Sequence, residues 1–353
     1  MEIKIGRKKI GENNSVFIVA ELGINHNGSV ARAKKMMVAA KKAGVDAVKI
    51  QSFVTEDFVG DKSLIYTYKS QDKEVTESQY LMFKKNELNR KKQRDLFTYA
   101  KKIGIIIFST PQDNSFKTVD YLCGREVNMP AIKVPSDDLT NLSMLAYVAR
   151  KQKPIVISTG MATLNEVKDA VKTIKNQGNN KIIILKCTSL YPTPPKEANL
   201  AQIKTLRDIF KGCLVGFSDH TIGSTAAVAA TMLGAIMIEK HFTLDHNLPG
   251  PDHWFAADHA ELTQLVKQVR EAEKMIGRPD LVLSKAEGKI KAIARRSLVA
   301  ARQIKRGQRI GVCDLECKRP GTGLPPKYLP KVIGRIARHD YRPGYIFTNN
   351  DLK

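Results

Sequence analysis

Eight short and almost wholly apolar segments recur along the chain, and this repetition limits the possible folds more than any other feature. The segments are 16–22, 47–51, 105–110, 131–136, 154–159, 181–187, 214–219 and 235–242. Such segments are typical of parallel strands that are covered on both faces. Apolar residues at helical spacing occupy much of the sequence between them, over 30–43, 87–102, 142–153, 164–177 and 224–233. Strands that alternate with helices predict right-handed βαβ units.

The number of these units favours a closed barrel. Eight units fit an α/β fold of the (β/α)8 TIM-barrel type better than an open doubly wound sheet. The open sheet would need a glycine-rich dinucleotide loop after the first strand, and Gly23 and Gly28 do not form one. A further helix over 260–277 would close the barrel.

The sequence pattern changes near the C-terminus. We predict a barrel catalytic domain over 1–282, a charged linker over 283–292 and a small β-rich domain over 293–353. The last region contains short strands, turns and one weak internal echo, in which 307–315 resembles 344–352. A module of about 60 residues is marginally stable alone, so we expect it to dock on another surface.

The composition is that of an ordinary globular protein with a solvated, lysine-rich surface. The formal net charge is +23, but the Lys and Arg residues are dispersed and form no recognised nucleic-acid motif. We therefore expect no nucleic-acid partner, and a binder of anionic polymers is kept as an alternative. No apolar run reaches the roughly 18 residues of a membrane span, and the N-terminus lacks a signal-peptide core. Five cysteines at irregular spacing suit a reducing compartment, so a cytoplasmic location is expected.

Polar and ionisable residues collect where the predicted strands end, which is the end that carries the active site in barrel enzymes. They include Glu21, Lys49, Gln51, Thr110, Lys133, Ser136, Ser158, Ser189, Tyr191, Ser218, His220 and His241. Lys49 and Lys133 lie inside apolar strands, where an ammonium group is costly unless it is paired. Lysines, hydroxyls and backbone amides on one face predict a site for phosphate and carboxylate groups.

Two histidines predict a metal site in the same place. His220 and His241 end neighbouring strands, so both imidazoles can reach one mouth of the barrel. Two imidazoles with nearby carboxylates suit a divalent ion such as Mn²⁺, Fe²⁺, Co²⁺ or Zn²⁺ with open coordination positions. We predict His220 and His241 as the metal ligands.

Several motifs at these strand ends resemble those of one enzyme family. They are ELGINHNG at 21–28, KIQ at 49–51, STGM at 158–161, YPTP at 191–194, SDHT at 218–221, EKHF at 239–242 and GPD at 250–252. They resemble the sialic acid (N-acetylneuraminate) synthases, which include legionaminate and pseudaminate synthases. KRPGTG at 318–323 resembles the antifreeze-like, or SAF, domain of that family.

The resemblance implies a phosphoenolpyruvate-dependent transferase that forms a carbon–carbon bond. Phosphoenolpyruvate would condense with the open-chain aldehyde of an N-acylated mannosamine-type sugar and water, giving a nine-carbon 2-keto acid and phosphate. The implied cofactor is a divalent metal ion, with Mn²⁺ placed first and Mg²⁺ and Co²⁺ as alternatives. The implied assembly is a homodimer in which the SAF domain of one chain caps the partner's barrel.

The resemblance also assigns roles to residues. Those that bind phosphoenolpyruvate would be Lys49, Thr110, Lys133, Ser136, Ser158 and Ser218. Those that bind the sugar would be Gln51, Asp138, Ser189, Tyr191, Asp252 and Arg319, the last from the partner chain. The catalytic residues would be Glu21, Lys49, His220 and His241, with Glu21 handling a proton near the attacking water.

Two departures from sialic acid synthases bear on the sugar. This chain has Asp137 and Asp138 where that family has a Gly-Glu step, and Ser189 where it has Asn. The shorter side chains leave room for a bulkier sugar. N-acetylneuraminate remains the first expected product, with N,N'-diacetyllegionaminate or pseudaminate as the alternative. Another phosphoenolpyruvate aldol synthase, which makes a seven- or eight-carbon keto acid, is a further alternative.

Overall fold

The computed structural model describes residues 1–352 of the chain. Numbered in chain order, its strands are β1 Glu2–Ile5, β2 Lys8–Gly11, β3 Phe17–Gly23, β4 Ala47–Ser52, β5 Ile65–Ser70, β6 Lys73–Ser78, β7 Ile106–Pro111, β8 Ile132–Val134, β9 Ile155–Ser158, β10 Ile182–Cys187, β11 Leu214–Asp219, β12 Met237–His241, β13 Ser297–Ala300 and β14 Leu315–Lys318. The α-helices are α1 Val30–Ala43, α2 Thr55–Phe58, α3 Gln79–Asn86, α4 Arg90–Ile103, α5 Phe116–Cys123, α6 Leu142–Ala149, α7 Leu164–Asn176, α8 Gln202–Ile209, α9 Thr225–Met232, α10 His259–Ile276, α11 Lys285–Ala294 and α12 Leu329–Val332. Short 3-10 helices cover Ser136–Asp138, Pro195–Glu197, Val312–Asp314, Pro326–Tyr328 and Asn349–Leu352.

The predicted (β/α)8 barrel is confirmed. Strands β3, β4, β7, β8, β9, β10, β11 and β12 form a closed barrel in that order, and β12 pairs with β3 to complete it. Every pair of neighbouring barrel strands is parallel. At the closing seam, Met237 lies opposite Phe17 and His241 lies opposite Glu21.

Alternation along each strand divides the interior from the helical shell. In β4, Ala47 joins the cluster inside the barrel, whereas Val48 and Ile50 join the cluster that also includes helix residues. The period of two therefore turns Lys49 towards the interior, on the same face as Ala47. This is why a lysine can occupy an apolar strand without contacting the helices.

The N-terminal hairpin β1–β2 was not predicted. Ile3, Ile5 and Ile10 from this hairpin are buried in one cluster with Phe17, Phe108, Val156, Leu185 and Leu214 from barrel strands. The hairpin therefore packs on the apolar part of the barrel interior. The polar residues of the strand ends lie at the other end of the barrel.

A second unpredicted hairpin, β5–β6, leaves the barrel after β4. Its two strands pair from Ile65 opposite Ser78 to Ser70 opposite Lys73. The turn places Gln71 and Asp72 at φ values of 52° and 58°. Two-residue hairpin turns with positive φ are usually marked by Asn-Gly or Asp-Gly, and this one has neither.

Helix boundaries follow local capping chemistry. The Ser29 side chain accepts a hydrogen bond from the Arg32 amide at the start of α1, and Gly44 ends that helix at φ 92°. Helices α7 and α10 begin with capping boxes, formed by Thr163 with Glu166 and by Asp258 with Glu261. Helices α5 and α8, which follow β7 and β10, were not predicted from the sequence.

The described chain divides into two compact units, Met1–Gly277 and a second unit that begins at Arg278. The second unit contains α11, the antiparallel pair β13–β14 and a small core that includes Leu298, Ile304, Tyr341 and Phe347. The stretch predicted as a linker, 283–292, falls largely within α11. Among residues 1–352, no helix is long and apolar enough to cross a membrane.

The internal echo of the second unit corresponds to a repeated turn. Gly307 and Gly344 begin the two copies at φ values of 85° and 84°. Each copy ends in a 3-10 helix that an aspartate caps: Asp314 accepts from the Gly311 amide at 2.7 Å, and Asp351 accepts from the Thr348 amide at 2.7 Å.

Candidate active site

A cavity of about 410 Å³ opens at the C-terminal ends of the barrel strands. Its lining contains thirteen of the fifteen side chains proposed from the sequence: Glu21, Lys49, Gln51, Thr110, Lys133, Ser136, Ser158, Ser189, Tyr191, Ser218, His220, His241 and Asp252. Its size is within the range of small-molecule sites. The cavity therefore brings together residues that are widely separated in the sequence.

Four buried charges form a row across the cavity floor. The Lys49 ammonium lies 2.5 Å from a Glu21 carboxylate oxygen and 3.4 Å from a Glu239 oxygen. The Lys133 ammonium lies 3.0 Å from the other Glu239 oxygen. Carboxylate and ammonium groups therefore alternate in the order Glu21, Lys49, Glu239, Lys133. Both lysines are paired, as the cost of burying an ammonium group requires.

Burial and mutual attraction act in opposite directions on these groups. Burial raises the pKa of Glu21, and the Lys49 ammonium only partly opposes this. Burial lowers the pKa of Lys133 despite the Glu239 carboxylate. For Lys49, burial is outweighed by Glu21 and Glu239, so its pKa is raised. The pKa of Glu239 is lowered, because the attraction of the Lys133 and Lys49 ammonium groups outweighs the effect of burial.

The hydroxyl groups of the cavity leave hydrogen-bonding capacity free for a ligand. Thr110 accepts a hydrogen bond from Lys49 at 3.3 Å, and Ser136 accepts one from the Gly160 amide at 3.0 Å. The hydroxyls of Ser158 and Ser189 are buried without a hydrogen-bond partner. Buried polar groups without a partner mark a place where a ligand, ion or water binds.

Gly160 allows three of these groups to approach one another. A Cβ atom at this position would lie 2.2 Å from the Ser189 hydroxyl and 2.7 Å from the Ser136 hydroxyl. Both distances are shorter than a van der Waals contact, so any larger residue would displace the two serines. The glycine is therefore required by the close packing of the hydroxyls around the cavity.

The two predicted histidines face each other at the cavity. Their ring centroids are 5.3 Å apart, and Tyr191 lies 4.2 Å from the His220 ring. The Nδ1 atom of His220 lies 2.8 Å from the Thr188 carbonyl oxygen. Only a protonated Nδ1 can donate to that oxygen, so in the neutral ring Nε2 is the nitrogen that can bind a metal ion.

His241 and the nearby carboxylates complete a donor set that fits a divalent cation. Burial, followed by the His220 imidazole, lowers the pKa of His241 well below its usual value, so its ring is neutral. Its Nδ1 has no hydrogen-bond partner and lies 3.5 Å from an Asp252 oxygen. Burial raises the pKa of Asp252 to about 7. Two imidazoles beside the Asp252 carboxyl group suit Mn²⁺ or a similar ion.

A second group of possible metal donors lies outside the cavity. Single donor atoms of His246, Asp258 and Glu261 lie within 4.8 Å of one another. The two carboxylates already accept the backbone hydrogen bonds that cap α10. Their position is therefore explained by the helix start.

Comparison with known proteins places this cavity in a family. Residues 36–280 match the NeuB family, and residues 295–353 match the SAF domain. The chain belongs to the NeuB family. An N,N'-diacetyllegionaminic acid synthase of Campylobacter jejuni is 39% identical over 328 residues, which cover 92% of this chain and 97% of that protein. An uncharacterised protein of Methanocaldococcus jannaschii is 42% identical over 351 residues, with coverage of 99% and 98%.

A solved structure of the family agrees with the fold. The N-acetylneuraminic acid (sialic acid) synthetase of Leptospira borgpetersenii matches with a TM-score of 0.73 and 30% identity, over 82% of this chain and 95% of that one. The predicted resemblance and the predicted class of enzyme, a NeuB-family synthase with a C-terminal SAF domain, are confirmed.

Two of the proposed site residues do not line the cavity. Asp137 lines it, whereas Asp138 accepts a hydrogen bond from Asn114 at 2.5 Å outside it. Asp138, which was predicted to contact the sugar, therefore does not face the cavity, and its neighbour Asp137 does. The two residues share a 3-10 helix, in which successive side chains point about 120° apart. Arg319 belongs to the second unit, where it is exposed.

Some residues that line the cavity were not predicted from the sequence. Glu239 was visible only as part of the EKHF motif, yet it contacts both lysines. Tyr66, Gln79, Met82 and Phe83 also line the cavity, and they come from the unpredicted hairpin β5–β6 and from α3. No motif marked this segment, so the sequence offered no signal for it.

Hydrogen bonds hold this hairpin against the loop that carries Asp252. The Ser70 hydroxyl accepts from the Gly250 amide at 3.1 Å, and the Gln71 side chain donates to the Asn247 carbonyl at 2.9 Å. Phe83 also packs edge-on against Phe53, with ring centroids 5.5 Å apart. The wall of the cavity that contains Tyr66 and Phe83 is therefore anchored on two sides.

Proposed function

We propose that this NeuB-family protein condenses phosphoenolpyruvate with an N-acylated mannosamine-type aldehyde. The observation that carries the proposal is the row of two buried lysines beside unpartnered serine hydroxyls. Burying two ammonium groups costs free energy, but the same groups suit a ligand with a phosphate and a carboxylate group. Carbon 3 of phosphoenolpyruvate attacks the aldehyde carbon, water adds at C2, and the C2–oxygen bond to phosphate breaks to release a 2-keto acid.

In this proposal, Lys49, Lys133 and Ser218 bind the phosphate and carboxylate oxygens. The hydroxyls of Thr110, Ser136 and Ser158 add donors around them. Groups that are already fixed before the reaction stabilise developing charge without reorganising. Glu21 takes the proton of the attacking water, which suits a carboxyl group whose pKa is raised by burial.

We propose His220 and His241 as ligands of a divalent metal ion, with Asp252 and Glu21 as nearby oxygen donors. When bound, such an ion supplies Lewis-acid polarisation of the aldehyde oxygen. The test is metal content after exchange into Mn²⁺ and removal of unbound ion. Wild-type protein should retain about one ion per chain, in keeping with a single two-imidazole site. His220→Ala and His241→Ala should lose the ion at an unchanged melting temperature, and retention in both would refute the assignment.

For the sugar, we propose a 2,4-diacetamido-2,4,6-trideoxymannose, which gives N,N'-diacetyllegionaminate, ahead of N-acetylmannosamine. Met82 and Phe83 add apolar surface to the cavity wall, which favours a deoxygenated and twice-acylated sugar. Ser189 leaves more room than an asparagine would. The 39% identity to the legionaminic acid synthase of Campylobacter jejuni supports the same choice.

The experiment is a substrate panel with phosphate release and product mass as readouts. The panel contains N-acetylmannosamine, its 6-phosphate, the diacetamido sugar and arabinose 5-phosphate. We expect the diacetamido sugar to give the highest kcat/KM and a product heavier by one phosphoenolpyruvate and one water less one phosphoric acid. Turnover with arabinose 5-phosphate alone would contradict the proposal.

We further propose a homodimer in which Arg319 of one chain reaches the sugar site of the other. A guanidinium group binds carbonyl and anionic oxygens through two parallel hydrogen bonds. The exposure of Arg319 in its own unit supports this role.

A further inference from the structure

The Glu239 carboxylate occupies the centre of the charged row and contacts three groups of the proposed phosphoenolpyruvate site. One of its oxygens accepts hydrogen bonds from Lys133 at 3.0 Å and from the Ser218 hydroxyl at 3.0 Å. Its other oxygen lies 3.4 Å from the Lys49 ammonium. The side chain is 5% exposed, so water does not substitute for these partners.

The strand geometry explains how one carboxylate reaches all three. Glu239 lies opposite Ser218 in the pairing of β11 with β12, so their side chains are neighbours on the inner face. Lys49 and Lys133 enter the same interior from β4 and β8. An ammonium group has three donor hydrogens. Lys133 directs one of them to Glu239, whereas Lys49 also contacts Glu21 and Thr110, so a ligand shares the Lys49 ammonium with these groups.

Glu239 also keeps two like charges close together. Both ammonium groups lie within 3.4 Å of its oxygens, in a buried site where repulsion between them is weakly screened. Without the carboxylate, the two groups would separate or turn towards other acceptors such as Glu21. The places from which they donate to a ligand would then change.

We propose that Glu239 is a positioning residue for the condensation, which fixes Lys49, Lys133 and Ser218 where the anionic groups of phosphoenolpyruvate bind. The proposal rests on the proposed function of this cavity. In this role Glu239 acts through the three donor groups and does not contact the reacting atoms. Its benefit arises in the transition state, which depends on exact placement of charge.

Loss of this carboxylate has two effects of opposite sign. The donors lose their fixed positions, which lowers kcat. The cavity also loses one negative charge, which strengthens its attraction for anions. If Glu239 served only to stabilise the fold, its loss would neither lower kcat in the folded protein nor raise the affinity for anions.

The test compares Glu239→Gln, Glu239→Asp and Glu273→Gln with the wild-type protein. Glutamine preserves size and removes the charge, whereas aspartate preserves the charge and shortens the side chain. Glu273 is the matched control, because it also binds a basic group, Arg270 at 3.0 Å, and it lies in α10 away from the cavity. Calorimetry with inorganic phosphate and with phosphoenolpyruvate gives affinity and stoichiometry, and steady-state assays give kcat and KM.

For Glu239→Gln we expect kcat to fall by about 10²-fold, as small misplacements of catalytic groups do. The KM for phosphoenolpyruvate should not rise, and inorganic phosphate should bind about tenfold more tightly because one repulsive charge is gone. Glu239→Asp should bind phosphate as the wild type does, with an intermediate kcat. Glu273→Gln should match the wild type in all three quantities.

Two results would overturn the positioning role. One is a kcat of Glu239→Gln close to that of the wild type at full binding stoichiometry. The other is unchanged phosphate affinity in that variant. If Glu239→Gln does not fold, Glu239→Asp decides by whether its kcat falls at full stoichiometry. If wild-type protein turns over no amino sugar, the proposed function is wrong. The positioning role is then tested separately, and equal phosphate affinities of the wild type and Glu239→Gln would contradict it.

Discussion

Individual residues in this protein are placed by the alternation of the barrel strands and by short turns at their ends. Lys49 and Lys133 could be assigned to the interior from sequence, because a lysine in an apolar strand needs a buried partner. The partner itself, Glu239, could not be assigned, because pairing across strands depends on register. The choice between Asp137 and Asp138 likewise depended on a 3-10 turn that the sequence does not mark.

Gly160 gives a prediction about the hydroxyl groups around the cavity. Gly160→Ala places a methyl group 2.2 Å from the Ser189 hydroxyl and 2.7 Å from the Ser136 hydroxyl, so both must move. We expect kcat/KM for phosphoenolpyruvate to fall by about 10²-fold, since displaced binding groups lose their alignment. Gly60→Ala is the control, because a Cβ atom there meets nothing within 4 Å. Equal kinetics in both variants would contradict the proposed packing.

Asp138 gives a prediction about stability and pH. Burial, followed by the Asp137 carboxylate, raises the pKa of Asp138 from 3.8 to about 7. Its protonated form is therefore favoured in the folded state, and stability is lost as pH rises from about 4 to about 7. Asp138→Asn removes this pH-dependent loss of stability, and its amide oxygen can still accept a hydrogen bond from Asn114. Its melting temperature should exceed that of the wild type at pH 8 and match it near pH 4; an equal difference at both pH values would argue against the shift.

The elements of the barrel were predictable because each strand and helix has a distinct period. All eight barrel strands were predicted from apolar segments, within a few residues of their observed bounds. The hairpins β1–β2 and β5–β6 were missed because both are short and partly exposed, and β5–β6 turns on Gln71 and Asp72 in place of glycine. The missed hairpin β5–β6 supplies Tyr66 to the cavity, so this part of the cavity wall was missed with it.

The N-terminal hairpin gives a prediction about stability. Ile5 is fully buried against the apolar interior of the barrel, so Ile5→Ala should leave a cavity and cost about 2–5 kcal/mol of unfolding free energy. Activity per folded molecule should be unchanged, because the polar cavity lies at the other end of the strands. Urea unfolding measures the difference, with Ile65→Ala as a control at a position that is 67% exposed. A loss below about 0.5 kcal/mol, the range of surface substitutions, would show that the hairpin does not support the barrel.

At the scale of the whole molecule, the family resemblance extends beyond the barrel to the C-terminal unit. The SAF domain was predicted from KRPGTG at 318–323 and an internal echo, and residues 295–353 match that domain. The echo corresponds to two aspartate-capped turns with their own hydrogen bonds. The role proposed for this unit in the sugar site would depend on a second chain, which single-chain sequence patterns do not encode.

The proposed exchange of Arg319 between chains predicts complementation. Arg319→Ala and His241→Ala should each be nearly inactive alone. After subunit exchange, mixed dimers would contain one site with an intact barrel and an intact Arg319. Random pairing should restore about a quarter of wild-type activity, because half of the dimers are mixed and each has one good site. Recovery of no activity, with exchange verified by mass spectrometry, would place Arg319 in the site of its own chain.

Binding of phosphoenolpyruvate by the buried lysines is tested most directly by calorimetry on Lys133→Met. Wild-type protein should bind phosphoenolpyruvate, and Lys133→Met should bind it about 10²-fold more weakly, because a charge-assisted hydrogen bond is lost in a buried site. Lys186→Met is the matched control: Lys186 is also buried, but it bonds to Thr188 and does not line the cavity. Equal affinity in wild-type and Lys133→Met proteins would contradict the account.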